Sequence, residues 1–208
     1  MKRILTLASW CVIMAVPVGA VAKSYAIKQD GRWSSRIIVS GKKVIFRSST
    51  VSYRKNELVA LTFDRYSSKC RTQYITMNFA LDKRATRTFT TSNLFGQMRI
   101  DSYPIHSINY KMSSTRGSKY GYVYVTNFAK GGSILKEMKS GSTVRFKLAS
   151  SSGKAYYFNF PLNGFRQSSA RARRLCTDYV RRRSRSGGSD QNYFKQSPSS
   201  RSNKDYFL

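Results

Sequence analysis

Residues 142–180 constrain the fold of this chain most, because they contain two strand patterns, a turn and a helix pattern in succession. In 144–148, apolar residues alternate with basic ones, which is the period of a half-buried strand. A turn-rich segment that contains Gly153 follows, and residues 156–162 then place a large apolar side chain at every second position. Each strand has one apolar face, and this face needs to be covered by another element of the fold.

The helix pattern starts after Asn163 and Gly164, where the apolar residues change from a period of two to the spacing of a helix. The sequence predicts a closing helix over about residues 166–183, which packs across the strand pair and supplies the missing cover. Its apolar stripe is formed by Phe165, Ala172, Leu175, Cys176, Tyr179 and Val180. Its solvent side is predicted to carry Arg171, Arg174, Asp178, Arg181, Arg182 and Arg185.

Most of the chain before this closing unit is also predicted to form strands. Two segments, 36–40 and 43–47, flank a Gly-Lys turn and indicate a hairpin. A short helix with a serine N-cap is predicted at 133–139, and a loop or a frayed edge at 83–93. Further strands are indicated at 59–63, 75–81, 97–112 (with a break near Pro104) and 120–125. The predicted fold class is therefore mainly β, an antiparallel sandwich or curled sheet with one C-terminal helix packed on it.

Residues 1–22 resemble a secretory signal peptide. Lys2 and Arg3 precede an apolar run at 4–18, and an Ala-Val-Ala sequence at 20–22 suits cleavage. The run is shorter than the ~20 residues that span a bilayer, and a retained anchor is the alternative. The end of the chain is rich in Ser and Arg and poor in apolar residues, so it is predicted to be disordered. The predicted organisation is a leader at 1–22, a β-rich domain at 23–183 and a disordered basic tail at 184–208.

Cys70 and Cys176 are the cysteines that remain if the leader, which contains Cys11, is removed. An exported chain with two cysteines is expected to form one disulfide, because the compartments outside the cytoplasm are oxidising. Chain entropy gives such a long loop a stabilisation of about 4–5 kcal/mol at best. Two separate buried thiols are the alternative. These cysteines and the single histidine, His106, are too few for a closed zinc site, so no metal or cofactor is expected.

The chain carries a large excess of positive charge, with 38 Lys and Arg against 9 Asp and Glu and a formal net charge of +29. Such a surface attracts polyanions. The expected partners are lipopolysaccharide, acidic lipids or glycans on an envelope or host surface, or an envelope protein, whereas export argues against nucleic acid. No transmembrane segment is predicted after leader cleavage. An anion-binding site is predicted at Arg171, Arg174, Arg181, Arg182, Arg183 and Arg185, the alternative being a solvated helix face.

Catalytic motifs are missing from the sequence. It has no G-x-S-x-G elbow, no phosphate-cradling glycine loop and no H-E-x-x-H pair, and its acidic residues form no close pair. His106 is therefore predicted to be an ordinary strand or loop residue rather than a catalytic base. Tyr120, Tyr122 and Tyr124 have the spacing to stack bases, but in an exported chain they are better explained as one half-buried face of a strand.

A family resemblance lies in residues 139–176. They begin Lys-Ser-Gly-Ser-Thr-Val-Arg-Phe, continue with Gly-Lys-Ala-Tyr-Tyr-Phe-Asn-Phe-Pro-Leu-Asn-Gly-Phe and end with a helix that finishes Arg-Leu-Cys. This order resembles the closing segment of invasion-associated locus B type proteins, in which a lysine, a glycine, two strands, Leu-x-Gly-Phe and a helix recur. Asp-Gly-Arg-Trp-Ser at 30–34 also resembles their opening Gly-x-Trp. The resemblance implies an exported protein of a Gram-negative bacterium, with a β-rich domain, in the periplasm, on the outer surface or secreted.

The sequence as a whole predicts an exported, strongly basic, non-enzymatic protein that binds to or associates with the cell envelope. The resemblance adds a role in host interaction. Attachment is expected to be electrostatic, through the arginines of the closing helix and the tail, with the β-rich domain as a rigid scaffold. Two alternatives stay open: a secreted enzyme whose site is assembled only in the fold, and a structural component of a cell-envelope assembly.

Overall fold

The computed structural model describes residues 22–54, 57–68, 70–71, 73–127, 131–149, 153 and 155–186. The leader predicted at 1–22, apart from Ala22, and most of the tail predicted at 184–208 lie outside the described residues. In chain order the described strands are β1 (Lys23–Asp30), β2 (Trp33–Ser40), β3 (Lys43–Arg54), β4 (Glu57–Tyr66), β5 (Tyr74–Ala80), β6 (Phe89–Ile100), β7 (His106–Ser114), β8 (Tyr120–Asn127), β9 (Thr143–Ala149) and β10 (Ala155–Pro161). The helices are α1 (Gly131–Ser140) and α2 (Phe165–Ser186).

All the described strands belong to one antiparallel sheet, in the order β1-β2-β3-β4-β5-β8-β7-β6-β9-β10. The sheet curls, so that β10 lies against β3. Nε1 of Trp33 in β2 donates to the carbonyl oxygen of Pro161 in β10 at 2.8 Å. The backbone N–H of Arg32 donates to the carbonyl oxygen of Asn163 at 3.0 Å. These bonds join the two arms of the curl, although the sheet is not closed. The predicted fold class is confirmed, as a curled sheet rather than as two separate sheets.

The Gly-x-Trp and Leu-x-Gly-Phe sequences of the family resemblance meet at this junction. Gly164, just before α2, has a φ of +92°, and a Cβ atom there would overlap the carbonyl oxygen of Asp30. Glycine is therefore required both by the conformation and by the space. Beside it, the ring centroids of Phe165 and Trp33 are 4.8 Å apart, and those of Phe165 and Phe63 are 5.1 Å apart. The two sequences thus form one packed unit that fixes where α2 starts on the sheet.

The inner face of the sheet carries the core, which a line of polar side chains divides into two apolar clusters. The larger cluster lies between the arms of the curl and includes Trp33, Phe63, Phe79, Phe146 and Phe160. The smaller lies under α2 and consists of Ile37, Val44, Phe46, Leu175, Cys176 and Tyr179. Between them, Ser168 donates to the carbonyl oxygen of Ser34 at 2.9 Å and accepts from the Ser48 hydroxyl at 2.6 Å. These bonds align α2 along β2 and β3.

The face of α2 that packs on the sheet is largely the predicted one. Five members of the predicted stripe are each at most 3% exposed, and Val180 is partly buried. The assignment of Arg171 to the solvent side is wrong, because this residue is only 7% exposed. It lies three residues after Ser168 and four before Leu175, both of which are buried, so helical spacing places it on the same face.

Two strands extend beyond the sequence prediction. The sequence predicts a loop or a frayed edge over 83–93, and β6 begins within this range, at Phe89. The pairing of β6 with β7 is irregular between Thr91 and Leu94, so the inward-packing Phe89 and Leu94 do not follow a period of two. β1 was not predicted, because its pairing with β2 is interrupted near Ala26, which has a φ of +49°. Such an irregularity removes the period of two from the sequence. The predicted helix at 133–139 is confirmed as the somewhat longer α1, but its predicted N-cap is wrong, because α1 begins at Gly131 and Ser133 lies within its first turn.

The predicted disulfide between Cys70 and Cys176 is confirmed, with Cα atoms 5.7 Å apart. It spans 106 positions of the chain and joins the connection between β4 and β5 to the middle of α2. The helix is thus held to the sheet by a covalent bond as well as by packing. Neither described helix is long and apolar enough to cross a membrane.

Candidate functional site

An open cleft of about 650 Å³ lies between α1, α2 and the connection from β4 to β5. Its basic lining residues are Arg65, Arg71, Lys139, Arg166, Arg173 and Arg174. No acidic residue is among the described residues that line it, and none of the six basic side chains forms an ion pair with another described residue. We refer to this surface as the basic cleft. It gathers part of the excess positive charge of the chain into one concave site.

One wall of the basic cleft is a row of side chains on α2. Arg166, Ser169, Arg173 and Thr177 recur at intervals of three or four residues, so they share one side of the helix. The apolar stripe that anchors α2 on the sheet lies next to this row, and the packing of the core therefore fixes the wall. Lys139, in the last turn of α1, lines the cleft from the other helix.

Arg65 is the most deeply buried cation of the cleft, with 6% of its surface exposed. Its Nη1 donates to the carbonyl oxygen of Cys70 at 2.7 Å and to that of Arg71 at 3.3 Å. Its Nε is buried and has no hydrogen-bond partner among the described residues. A buried donor that stays unsatisfied costs about 1–3 kcal/mol. An acceptor in the cleft would supply this partner after a small turn of the Arg65 side chain, because Nε itself has almost no accessible surface.

The electrostatic environment of Arg65 is unfavourable in the absence of an anion. Burial and, to a smaller extent, the positive charge of Arg173 lower the pKa of Arg65 to about 10. The side chain therefore stays charged at neutral pH, where both effects destabilise the charged form. A bound anion would offset both, because it stabilises a desolvated cation and lies between two like charges.

The disulfide connects the two sides of the basic cleft. Cys70 is the residue before Arg71, and its carbonyl oxygen holds the Arg65 guanidinium. Cys176 lies in α2 between Arg173 and Thr177, which line the helical wall. The bond between the two cysteines therefore sets the separation of the groups that line the cleft.

The arginines predicted to bind anions occupy three different places. Arg174 lines the basic cleft and is exposed. Arg171 lies against the sheet, where its Nη1 donates to the carbonyl oxygen of Ala26 at 2.8 Å and to Oγ of Ser35 at 2.9 Å. It therefore fastens α2 to β1 and β2 instead of facing solvent. The remaining four, which we refer to as the helix-end arginines, are exposed in the last turns of α2: Arg181, Arg182, Arg183 and Arg185.

The helix-end arginines have a structural explanation that the cleft arginines lack. Positive charges near the C-terminus of a helix interact favourably with its dipole, typically by 0.3–1 kcal/mol each. Arg181 also pairs with Asp178 at 2.8 Å in an exposed position, and such surface pairs contribute about 0–1 kcal/mol. These residues add positive potential to this side of the molecule without requiring a ligand.

His106 lies beside a carboxylate but outside the basic cleft. Its Nε2 is 2.7 Å from Oε2 of Glu137, and the side chains are 11% and 16% exposed. The pair fastens α1 to β7. The described residues contain no group of three or more His, Cys, Asp or Glu side chains that could hold a metal ion.

Tyr120, Tyr122 and Tyr124 lie on the outer face of the sheet and are 51%, 38% and 45% exposed. They neither fill the core nor line the cleft. β8 pairs with β5 on one side and with β7 on the other, so these side chains project from the interior of the sheet rather than from an edge.

The sequence prediction missed most of the basic cleft. A signal for Arg65 was present, because it takes the next inward position of β4 after Val59, Leu61 and Phe63, where an apolar residue would be expected. A second signal was the predicted disulfide, which brings the sequences around its cysteines together. The basic residues near both cysteines were therefore candidates for a common site.

No protein-family model and no curated protein matches this chain. Among solved structures, it is similar to the crystal structure of invasion associated protein B from Bartonella henselae. The match has 13% sequence identity and a TM-score of 0.47, and it covers 72% of this chain and 96% of that chain. The likeness is one of fold alone, and no functional residue of this chain is inferred from it.

Proposed function

We propose that the protein is an exported, non-catalytic binding protein that attaches to anionic groups of the cell envelope or of a host surface. The observation that carries this proposal is the basic cleft, in which six basic side chains meet without an acidic neighbour among the described lining residues. Such a site attracts phosphates and carboxylates, as found in lipopolysaccharide, acidic lipids and acidic glycans. Arginine suits both groups, because its planar guanidinium donates two parallel hydrogen bonds to them.

Attachment has two components in this proposal. The helix-end arginines and the predicted basic tail attract the protein to an anionic surface over about one Debye length, ~8 Å in physiological salt. The basic cleft then binds individual anionic groups, and the disulfide and the packing of α2 hold its side chains in place. The curled sheet serves as the rigid scaffold.

The proposed location is the periplasm, the outer surface or the surroundings of a Gram-negative bacterium. The predicted leader supports export, and the disulfide supports an oxidising compartment. N-terminal sequencing of protein recovered from the periplasmic fraction and from the medium checks this. We expect a chain that starts at Lys23; recovery of an uncleaved chain from the cytoplasm alone would contradict export.

Co-sedimentation with vesicles tests the attachment. Changing Arg181, Arg182, Arg183 and Arg185 together to Gln should weaken binding to vesicles of phosphatidylcholine mixed with phosphatidylglycerol. Each basic residue near an anionic membrane contributes ~1 kcal/mol, so the affinity should fall by up to about a thousandfold at low salt. Much of this difference should vanish near 1 M salt, where the Debye length is about 3 Å.

The matched control removes the same charge from exposed positions of the sheet and of one of its connections. Changing Lys83, Arg87, Lys111 and Lys147 to Gln should leave most of the affinity intact, because these exposed residues lie on β7, β9 and the connection from β5 to β6, whereas α2 packs on β1, β2, β3, β4 and α1. Equal losses in the two quadruple variants would show that only the net charge matters. Equal binding of the unmodified protein to neutral phosphatidylcholine vesicles would contradict electrostatic attachment.

A secreted enzyme is the alternative that one observation favours, namely the short contact between His106 and Glu137. In our proposal this pair fastens α1 to β7. His106→Gln should therefore lower the stability of the protein while the folded variant keeps its affinity for anionic vesicles. Turnover of any envelope component by the purified protein, lost in this variant, would favour the enzyme.

A further inference from the structure

We infer that the basic cleft is a pocket for a phosphomonoester group carried by a sugar-sized polar molecule, with Arg65 as its central donor. The inference rests on the proposed function and names the ligand class of that same site. The cleft binds one ligand at a defined place, whereas the helix-end arginines attract any anionic surface.

The charge of the cleft favours a phosphomonoester over a carboxylate or a phosphodiester. A carboxylate or a diester carries one negative charge, whereas a phosphomonoester carries about −1.5 to −2 at neutral pH and presents three strong acceptor oxygens. Proteins commonly recognise such groups by clusters of arginines. In the cleft, Arg65 comes from β4, Arg71 from the following connection and Arg173 from α2, so that cations from three parts of the fold line one site.

Two buried polar atoms at the cleft indicate what else the ligand carries. Nε of Arg65, a donor, and Oε1 of Gln73, an acceptor, have no partner among the described residues. The opposite ends of both side chains are already held, Nη1 of Arg65 by the carbonyl oxygen of Cys70 and Nε2 of Gln73 by Oγ of Ser169 at 3.1 Å. A phosphate oxygen can accept from the first atom, and a hydroxyl group can donate to the second. A ligand with both groups can satisfy both atoms once the two side chains turn slightly toward the cleft, because both atoms have almost no accessible surface in the present conformation. A bare anion satisfies only one of them.

The size of the cleft agrees with a ligand larger than a single anion. Its volume of about 650 Å³ falls within the range of roughly 300–1,000 Å³ that small-molecule sites occupy. Its lining is mainly basic and polar, with Leu135 and Ala170 as apolar members. A hydroxylated, phosphorylated molecule fits this lining better than an apolar one.

Calorimetric titration of the oxidised full chain tests the inference, with glucose 1-phosphate, inorganic phosphate and glucose as probes. We expect saturable binding of glucose 1-phosphate, weaker binding of inorganic phosphate and no binding of glucose. A cleft variant, Arg71→Gln with Arg173→Gln, should bind glucose 1-phosphate at least about tenfold more weakly for each arginine removed. Both residues are exposed, so the variant should fold.

The matched control is a helix-end variant, Arg182→Gln with Arg185→Gln, which loses the same amount of charge but from the exposed end of α2. It should keep its affinity for glucose 1-phosphate within about threefold, because exposed charges at a distance are screened. Its attachment to phosphatidylglycerol vesicles should weaken instead. Circular dichroism and thermal unfolding of both variants check that the fold is intact.

The phosphomonoester could belong to a lipid head group or to a soluble molecule, and vesicles separate the two sources. If the source is a lipid, the wild type should prefer phosphatidic acid, a phosphomonoester, over phosphatidylglycerol, a phosphodiester, and the cleft variant should lose this preference. Saturable binding of glucose 1-phosphate without that preference assigns the ligand to a soluble molecule.

Three results would overturn the inference: no saturable binding of any phosphorylated probe, equal weakening by the cleft and helix-end variants, or equal affinity for inorganic phosphate and glucose 1-phosphate. One further result would distinguish failure of the proposed function from failure of this inference. If the wild type binds glucose 1-phosphate but not phosphatidylglycerol vesicles, the electrostatic attachment fails while the pocket stands.

Discussion

The basic cleft and the helix-end arginines both include residues of α2 and both consist largely of arginines, but their surroundings differ. In the cleft, Arg65 is buried, its pKa is lowered to about 10, and its Nε lacks a partner among the described residues. At the helix end the arginines are exposed, and Arg181 pairs with Asp178. The first arrangement is unfavourable unless an anion binds, whereas the second is favourable by itself. Burial and missing hydrogen-bond partners therefore distinguish a binding site from a solvated helix face. A count of charges does not make this distinction.

Removal of the disulfide should have the largest effect and should separate the two regions. Changing both Cys70 and Cys176 to Ser should lower the free energy of unfolding by up to about 4–5 kcal/mol, because the bond closes a long loop. Binding of glucose 1-phosphate should weaken as well, since the carbonyl groups that hold Arg65 would be released. Urea unfolding and calorimetry measure the two effects.

The control for this variant is the contribution of the helix-end arginines to vesicle binding. These residues lie beyond the disulfide on a continuous helix, so their contribution should persist under conditions where the variant is folded. An unchanged affinity for glucose 1-phosphate in the disulfide-free protein would show that the cleft does not depend on this bond.

Truncation of the buried stripe of α2 should have the second largest effect. Leu175 packs with Phe46 and Tyr179 in the smaller cluster, and Leu175→Ala should lower the free energy of unfolding by about 2–5 kcal/mol. The exposed neighbour Arg174 provides the control, and Arg174→Ala should change stability by no more than about 0.5 kcal/mol. Equal losses in urea unfolding would mean that α2 is rotated relative to the sheet.

The smallest of these stability effects concerns Arg171, the arginine of α2 that the structure places in the interior. Arg171→Met keeps most of the apolar stem but leaves the carbonyl oxygen of Ala26 and the hydroxyl of Ser35 without this donor. We expect a loss of about 1–3 kcal/mol, with no change in the affinity of the folded protein for glucose 1-phosphate. Arg182→Met is the exposed control. A loss of ligand affinity in Arg171→Met alone would place this residue in the binding site.

The architecture around α2 could be predicted because its signals are local. The period of two in β9 and β10 and the helical period of α2 each lie within one segment, and the choice between a sandwich and a curled sheet was the part left open. The disulfide followed from the compartment and from the number of cysteines rather than from geometry. β1 and the first half of β6 were missed because the pairing of each strand is interrupted, which leaves no apolar period of two in the sequence.

The basic cleft could not be predicted from the period of any single segment. Arg65 and Arg173 are far apart in the sequence and come together because the disulfide and the smaller apolar cluster bring α2 against the end of β4. Arg171 and Arg174 are only three residues apart, and the helical pattern alone did not show which of the two was buried. An arginine such as Arg171 can be buried because its long apolar stem packs in the interior while its guanidinium donates hydrogen bonds to backbone oxygens.

The most direct test of the binding site is the resonance of the Arg65 Nε–H group in NMR spectra of the oxidised protein titrated with glucose 1-phosphate. If the cleft binds the ligand as inferred, this resonance should shift as Arg65 turns to its acceptor, and the shift should saturate with the dissociation constant measured by calorimetry. The Nε–H resonances of the helix-end arginines should change little. An unchanged Arg65 resonance, or unsaturable shifts of similar size at Arg65 and at the helix-end arginines, would contradict the account.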